Sequence, residues 1–212
     1  MDEVPNLEDV LSDRAVNGDR EAAAQLFQIY RPRLRRMVDL RMHAKVKSRL
    51  DASDVLQDAL IEVMRQVPAF PAKQQPDMTL FLWMRLITGS QLKQLHRQHL
   101  GVEKRNAFRE MSLADHTPPA ASSVFLANQL VGQFTSVDRN MRQQEAVEKM
   151  EVVLNGMEEK DREIIAMRHF EELTTEEIAV ELGLTRSGVL KRYGRALRRL
   201  TRVIGDPSQL KT

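Results

Sequence analysis

The sequence predicts an all-α protein: two small helical domains joined by a linker, the C-terminal one containing a helix-turn-helix. Three observations predict it. Apolar residues recur three and four positions apart over most of the chain, alternating β-branched runs are nearly absent, and aromatic residues make up only 5% of the 212 residues. A stretch with few charges and two adjacent prolines, Pro118 and Pro119, interrupts that pattern in the middle. The chain therefore divides into an N-terminal domain over 1–110, a partly helical linker over 111–139, a C-terminal domain over 140–204 and a tail over 205–212.

In the first domain Asp19 predicts the cap of a helix over 20–30, with Ala23, Leu26, Phe27 and Tyr30 inward. Pro32 suits the first turn of a second helix, about 32–48, which turns Leu34, Met37, Val38 and Met42 inward. Between Arg31 and Arg49 there are eight basic residues against the single Asp39. A third helix is expected over 52–67, where Val55, Ala59, Val63 and Val67 form one row and Leu56, Leu60 and Met64 lie beside it. Asp51, Asp54, Asp58 and Glu62 line another face. That acidic ridge has two readings: a solvated face whose first aspartates cap the helix, or a docking surface for a basic partner. Residues 68–78 read as a loop. Thr79 then opens a helix containing Phe81, Leu82, Trp83, Leu86 and Ile87, continuing past a weak point at Gly89 through Leu92, Leu95 and His99. Lys93, Arg97, Lys104, Arg105 and Arg109 form a second basic region.

Within 120–142, Val124, Phe125, Leu126 and Leu130 are too apolar for a free tether, and predict a short helix packed on a domain or a partner interface. Helices follow over about 140–155, with Ala146, Met150, Val153 and Leu154 apolar, and 160–170, with Ile164, Ile165, Met167 and Phe170 inward.

The densest signal is LTTEEIAVELGLTRSGVLKRYGRALRRL, residues 173–200. Thr174 and Glu177 have the spacing of a capping box, so a helix starts at Thr175. Ile178, Ala179 and Leu182 form its inward stripe, Gly183 relieves the turn, and Leu184 fills the corner. Thr185 caps a second helix, in which Val189, Tyr193, Ala196 and Leu200 face inward. Arg186, Ser187, Lys191, Arg195 and Arg198 remain outside. Residues 186–204 hold seven Arg and Lys and no acid, whereas 158–181 hold nine acids against three basic residues. Such a helix fits a phosphate track, early positions reaching base edges and later cations holding phosphates. The plainer reading is a charged helix with no ligand.

Composition narrows the function classes. Without cysteine, disulfides, thiol catalysis and cysteine-ligated zinc are excluded. The start is acidic and polar and no long apolar run follows, so the expectation is a cytoplasmic protein with no membrane insertion. Net charge is only +2, so the local clusters, not the total, carry the nucleic-acid argument. No catalytic constellation, cofactor motif or metal site stands out, and His96 and His99, three apart, read as a pair on a polar face.

These motifs resemble the compact extracytoplasmic-function sigma factors of bacterial RNA polymerase, in the sigma-70 superfamily, over about 20–109 and 140–203. LFQIYRPRLRRMV (26–38), DASDVLQDALIEVM (51–64), FLWMRLITGSQLKQLHRQH (81–99) and MEEKDREIIAMRHFEELTTEEIAVELGLT carry the resemblance. It implies a non-enzymatic factor that directs core polymerase to promoters. Asp54, Gln57 and Asp58, flanked by Asp51 and Glu62, fall where the family contacts the polymerase β′ coiled coil, and the C-terminal domain is expected near the β flap. Arg85, Lys93, His96 and Arg97 fall in the region that reads the melted minus-10 element. Thr185, Arg186, Ser187, Leu190, Lys191, Arg195 and Arg198 fall in the helix that reads duplex DNA at minus 35. Trp83 sits at the family's tryptophan, with packing as its plain role. An anti-sigma partner is also implied. Two positions depart from the pattern. Lys93 stands where an acid is common, and Leu190 replaces a lysine, so that Leu190 either touches a thymine methyl or packs. The rival readings are a helix-turn-helix regulator acting without polymerase, marked by dimeric binding to a palindrome, and a helical protein-interaction module.

Overall fold

The computed structural model describes residues 6–70, 77–99, 118–134 and 140–204, and every regular element among them is helical. The chain divides into two compact units, Met1–Pro119 and Ala120–Thr212.

The first unit contains α1 (Leu7–Val16), α2 (Arg20–Arg41), the single turn α3 (Ala44–Lys47), α4 (Ala52–Gln66), a 3-10 turn (Val67–Ala69) and α5 (Leu80–His99). Asp19 caps α2 as expected, accepting from the backbone N–H of Glu21 and Ala22 at 2.9 and 3.1 Å. The two helices expected on either side of Pro32 are one continuous α2 with Pro32 inside it. Proline in a helix interior costs about 3 kcal/mol. Against that, Leu26, Phe27, Leu34, Met37 and Val38 are each no more than 1% exposed, and burying one such side chain is worth roughly 1.5–3 kcal/mol. An unbroken apolar stripe against α1, α4 and α5 outweighs the lost backbone bond. The helix stops at Met42, short of the expected 48, because His43 starts α3 by accepting the Lys45 N–H on Nδ1 at 3.2 Å.

α1 was not expected from its sequence. Only Leu11 and Ala15 are buried there, too few for a clear period. Its hold on α2 includes a hydrogen bond from Tyr30 OH to Glu8 Oε1 at 2.6 Å. α5 starts where Thr79 predicts, its Oγ1 accepting the Leu82 N–H at 3.1 Å. Gly89 does not break it. A Cβ there would lie 2.7 Å from Cγ of Pro118, so the glycine admits close approach of the chain that follows. Residues 71–76 of the expected loop and 100–117 of the second basic region and linker lie outside the described residues.

The second unit contains α6 (Ser123–Phe134), α7 (Asn140–Asn155), α8 (Glu159–His169), α9 (Thr175–Leu182) and α10 (Arg186–Ile204). α6, read from sequence as part of the linker, belongs to this unit and packs on α7 through buried Leu126, Leu130 and Val131. Its entry is fixed by the Ala121 N–H, which donates to the buried carboxylate of Glu163 at 2.6 Å. Ile164, Ile165, Met167, Ile178, Val189, Ala196 and Leu200 close the core, each no more than 2% exposed.

Candidate nucleic-acid interface

The helix-turn-helix is built from local chemistry. Thr174 Oγ1 accepts the Glu177 N–H at 3.1 Å and the Glu177 carboxylate accepts the Thr174 N–H at 2.9 Å, a complete capping box for α9. Gly183 ends that helix in the left-handed region, φ 60° and ψ 44°, and the Leu184 N–H closes onto the Ala179 carbonyl at 2.9 Å. Thr185 caps α10, its Oγ1 accepting the Gly188 N–H at 3.1 Å. Every feature of this turn expected from the sequence is present, except that Ala179 and Leu182 are half-buried and Ile178 alone is fully enclosed.

The cations of α10 fall into two sets. Arg192 donates to Asp161 at 2.6 Å and to Glu158 at 2.8 Å, tying α10 to the start of α8. That contact is the main reason the Glu158 carboxyl lies below its ordinary range. Arg199 donates to the Gly156 carbonyl at 3.2 Å. Tyr193 OH lies 3.1 Å from Nε2 of His169, whose ring burial pushes its pKa down. These side chains orient α10 on the unit. Arg186, Lys191, Arg195, Arg198 and Arg202 are exposed, as is Arg199 despite its bond, along with Thr185, Ser187 and Leu190. Leu190 is 49% exposed, which settles its expected alternatives against packing within the unit. Nineteen residues of helix span about 28 Å, long enough to lie across a major groove.

In the first unit α4 carries the acidic ridge. Asp51 and Asp54 form a capping box, Asp54 accepting the Asp51 N–H at 2.9 Å. The guanidinium of Arg35 braces this end, donating to Ser53 Oγ at 2.8 Å and to Asp51 at 3.2 Å. The Asp51 carboxyl is accordingly held low, first by the Ser53 backbone and side chain. Asp51, Asp54, Gln57 and Asp58 all remain exposed. Glu62 differs: its side chain is 21% exposed and turned onto Arg65 and Gln66. Between these polar groups stands Ile61, 61% exposed, which sequence reasoning passed over. Its signal was legible, because 61 lies off the Val55–Ala59–Val63 row and next to Asp58.

α5 corrects two expectations. Arg85 is fully buried and His96 is 7% exposed, so neither side chain stands at the surface where a strand would lie. α5 is enclosed on nearly every side from Leu80 to Gly89, and periodicity there does not mark an outer face. His96 and His99 do not share a polar face either. Nε2 of His96 accepts the His43 backbone N–H at 3.2 Å, while His99 is exposed. Burial and the neighbouring His43 bring the His96 pKa down to about 4. Lys93 is half-buried and Arg97 exposed. Arg97 lies at a groove of about 210 Å³ between α4 and α5, with Trp83, Ser90, Gln91 and Gln94. Trp83 packs edge-on against Phe70, ring centroids 5.4 Å apart, as its packing role predicts. Among the described residues no three His, Cys, Asp or Glu converge on a point where a metal would sit, and no helix is long and apolar enough to cross a membrane.

Residues 147–200, which contain α8, the turn and most of α10, match the family described as Sigma-70, region 4. That match lies within the C-terminal unit of the chain. Across both units its fold is similar to that of CnrH, solved in complex with the cytosolic domain of CnrY. The TM-score is 0.52 at 18% identity, covering 94% of this chain and 98% of CnrH. The family match agrees with the resemblance read for the C-terminal domain, and the likeness to CnrH agrees with the all-helical fold expected of the whole chain. A search of curated proteins finds no match.

Proposed function

We propose that this chain is a sigma factor, which docks on bacterial core RNA polymerase through α4 and lays α10 in the major groove of the minus-35 element. The observation that carries the reading is the division of cations on α10. Arg192 and Arg199 hold the helix, while Lys191, Arg195 and Arg198 stay free of intramolecular ion pairs among the described contacts and face outward. Exposed Arg and Lys of that kind supply sequence-independent phosphate attraction. Arg186 and Leu190, near the start of the helix, are placed for base edges, Arg186 toward a guanine and Leu190 toward a thymine methyl.

On the first unit the exposed carboxylates of Asp51, Asp54 and Asp58, with Gln57 and Ile61, offer a basic, partly apolar coiled coil both charge and a hydrophobic contact. Glu62, occupied by Arg65, drops to a supporting place. Lys93 and Arg97 are the members of the expected minus-10 set left at or near the surface. Polymerase supplies the chemistry, and this chain supplies the choice of start site. Tethering two weak DNA contacts to one enzyme raises their effective concentration over the paired promoter boxes. By its likeness to CnrH, solved with a bound cytosolic domain of another protein, the chain takes an inhibitory anti-sigma partner in the cytoplasm.

The test is reconstitution of the full chain with bacterial core polymerase, followed by sequencing of transcript 5′ ends. Defined start sites sharing an upstream box are expected. The double variant Asp54→Lys, Asp58→Lys should lose polymerase retention in a pull-down while keeping its helical circular dichroism. A variant that still retains polymerase would remove α4 from the reading.

A further inference from the structure

An acid stands among the cations at the start of the outer helix-turn-helix surface. Glu176, in the first turn of α9, places Oε1 2.5 Å from Nε of Arg186, the first residue of α10. Their side chains are 63% and 70% exposed, so the pair adds little to stability. Nor does α9 need this acid for its cap, which Thr174 and Glu177 complete. The contact does fix the direction of one side chain. A guanidinium has donors along its Nε edge and at its two-Nη end. With Nε beside the Glu176 carboxylate, the two Nη groups remain as donors, and two Nη donors match the O6 and N7 acceptors of guanine. An untethered arginine would keep its rotamer freedom and meet phosphates as readily as bases.

We propose that Glu176 is a positioning residue for base recognition: it presents the Nη end of Arg186 to a guanine in the major groove and, by its own charge, opposes unspecific phosphate binding. The inference rests on the reading of α10 as a DNA-reading helix. It makes specificity at one base pair depend on a residue of the first helix of the motif, not of the second.

The experiment selects from a duplex pool with a randomised upstream box, using the full chain with and without bacterial core polymerase. Wild type is expected to enrich guanine at one position. E176Q, which removes the charge with little change of shape, should lower that enrichment about tenfold while retaining the unselected pool as well as wild type or better. Arg186→Ala should abolish the same enrichment, and the double variant should lose no more than Arg186→Ala alone, because the two residues act as a unit. The proposal is overturned if E176Q keeps the wild-type guanine enrichment, if it lowers enrichment equally at every selected position, or if Arg186→Ala leaves the guanine in place. If wild type enriches no sequence at all, the DNA-reading function itself fails and this inference goes with it.

Discussion

α2 and α10 are equally rich in arginine and use it in opposite ways. On α2, Arg33 lies over the Phe81 ring at 3.6 Å, Arg35 reaches Asp39, Asp51 and Ser53, and Arg41 is 3% exposed. Those guanidinium groups hold the first unit together. On α10 Arg192 and Arg199 are engaged in that way, Arg186 pairs with Glu176 at the surface, and Lys191, Arg195, Arg198 and Arg202 line an exposed face. What separates the two helices is their company. α2 meets an aromatic ring and the carboxylates at the start of α4, whereas on the outer side of α10 the acid paired with a cation among the described contacts is Glu176. A count of basic residues therefore locates a nucleic-acid surface only after the internal partners have been subtracted.

The largest effect that sharpens this comparison is expected at Arg192. Asp161 is 5% exposed, and Arg192→Ala leaves its carboxylate buried beside the start of α8 with its bridging cation removed. Breaking one side of a buried pair is strongly destabilising, and with Arg192 itself partly solvated the expected loss is about 2–3 kcal/mol. Denaturant unfolding of the full chain, followed through the C-terminal unit, should show that loss. An unchanged midpoint would mean that Arg192 belongs with the outward set.

A somewhat smaller effect separates the units by pH. In the first unit burial, and then the neighbouring His43, hold His96 neutral, with its Nε2 accepting the His43 N–H, and its pKa of about 4 lies below the ordinary 6.5. The unfolded chain therefore takes up the proton first as pH falls. Stability is full above about pH 6.5 and declines between there and about pH 4, by an amount on the order of 2 kcal/mol. His96→Gln keeps an acceptor for the His43 N–H and cannot titrate, so it should flatten that decline in the first unit. Equal pH profiles for wild type and variant would remove His96 from the account.

The helix-turn-helix was legible in the sequence because its determinants are local. Thr174, Glu177, Gly183 and Thr185 act within three residues of their partners, and Val189, Ala196 and Leu200 sit on a clean helical period. The continuity of α2 was not legible, since a stripe buried by three other helices decides it against the local rule for Pro32. Arg85 and His96 escaped for a related reason. A helix enclosed on nearly all sides hides polar groups at positions that periodicity assigns to solvent. The Arg192–Asp161 bond links residues 31 apart, and no spacing rule picks it out from the other acids of α8. On α4 the capping duty of Asp51 and Asp54 was open to reading, while the turning of Glu62 onto Arg65 and Gln66 depends on rotamers that sequence does not specify.

The smallest stability effect is expected next door to an internal arginine. Arg198 and Arg199 are consecutive, yet Arg199 reaches the Gly156 carbonyl and Arg198 lies along the exposed face, where a Cβ at Gly194 would sit 3.6 Å from its Nη1. Arg198→Ala should leave the unfolding midpoint within about 0.5 kcal/mol of wild type, as surface changes do. It should weaken binding to all duplex sequences alike and reduce the salt slope of binding by about one. Arg199→Ala should do the reverse, lowering stability by about 1 kcal/mol for the lost hydrogen bond and changing the salt slope less. Salt titrations of both variants against one duplex decide the matter. If the two residues prove interchangeable in slope, the division of α10 into a holding side and a reading side does not stand, because neighbours 100° apart on a helix would then be sharing one surface.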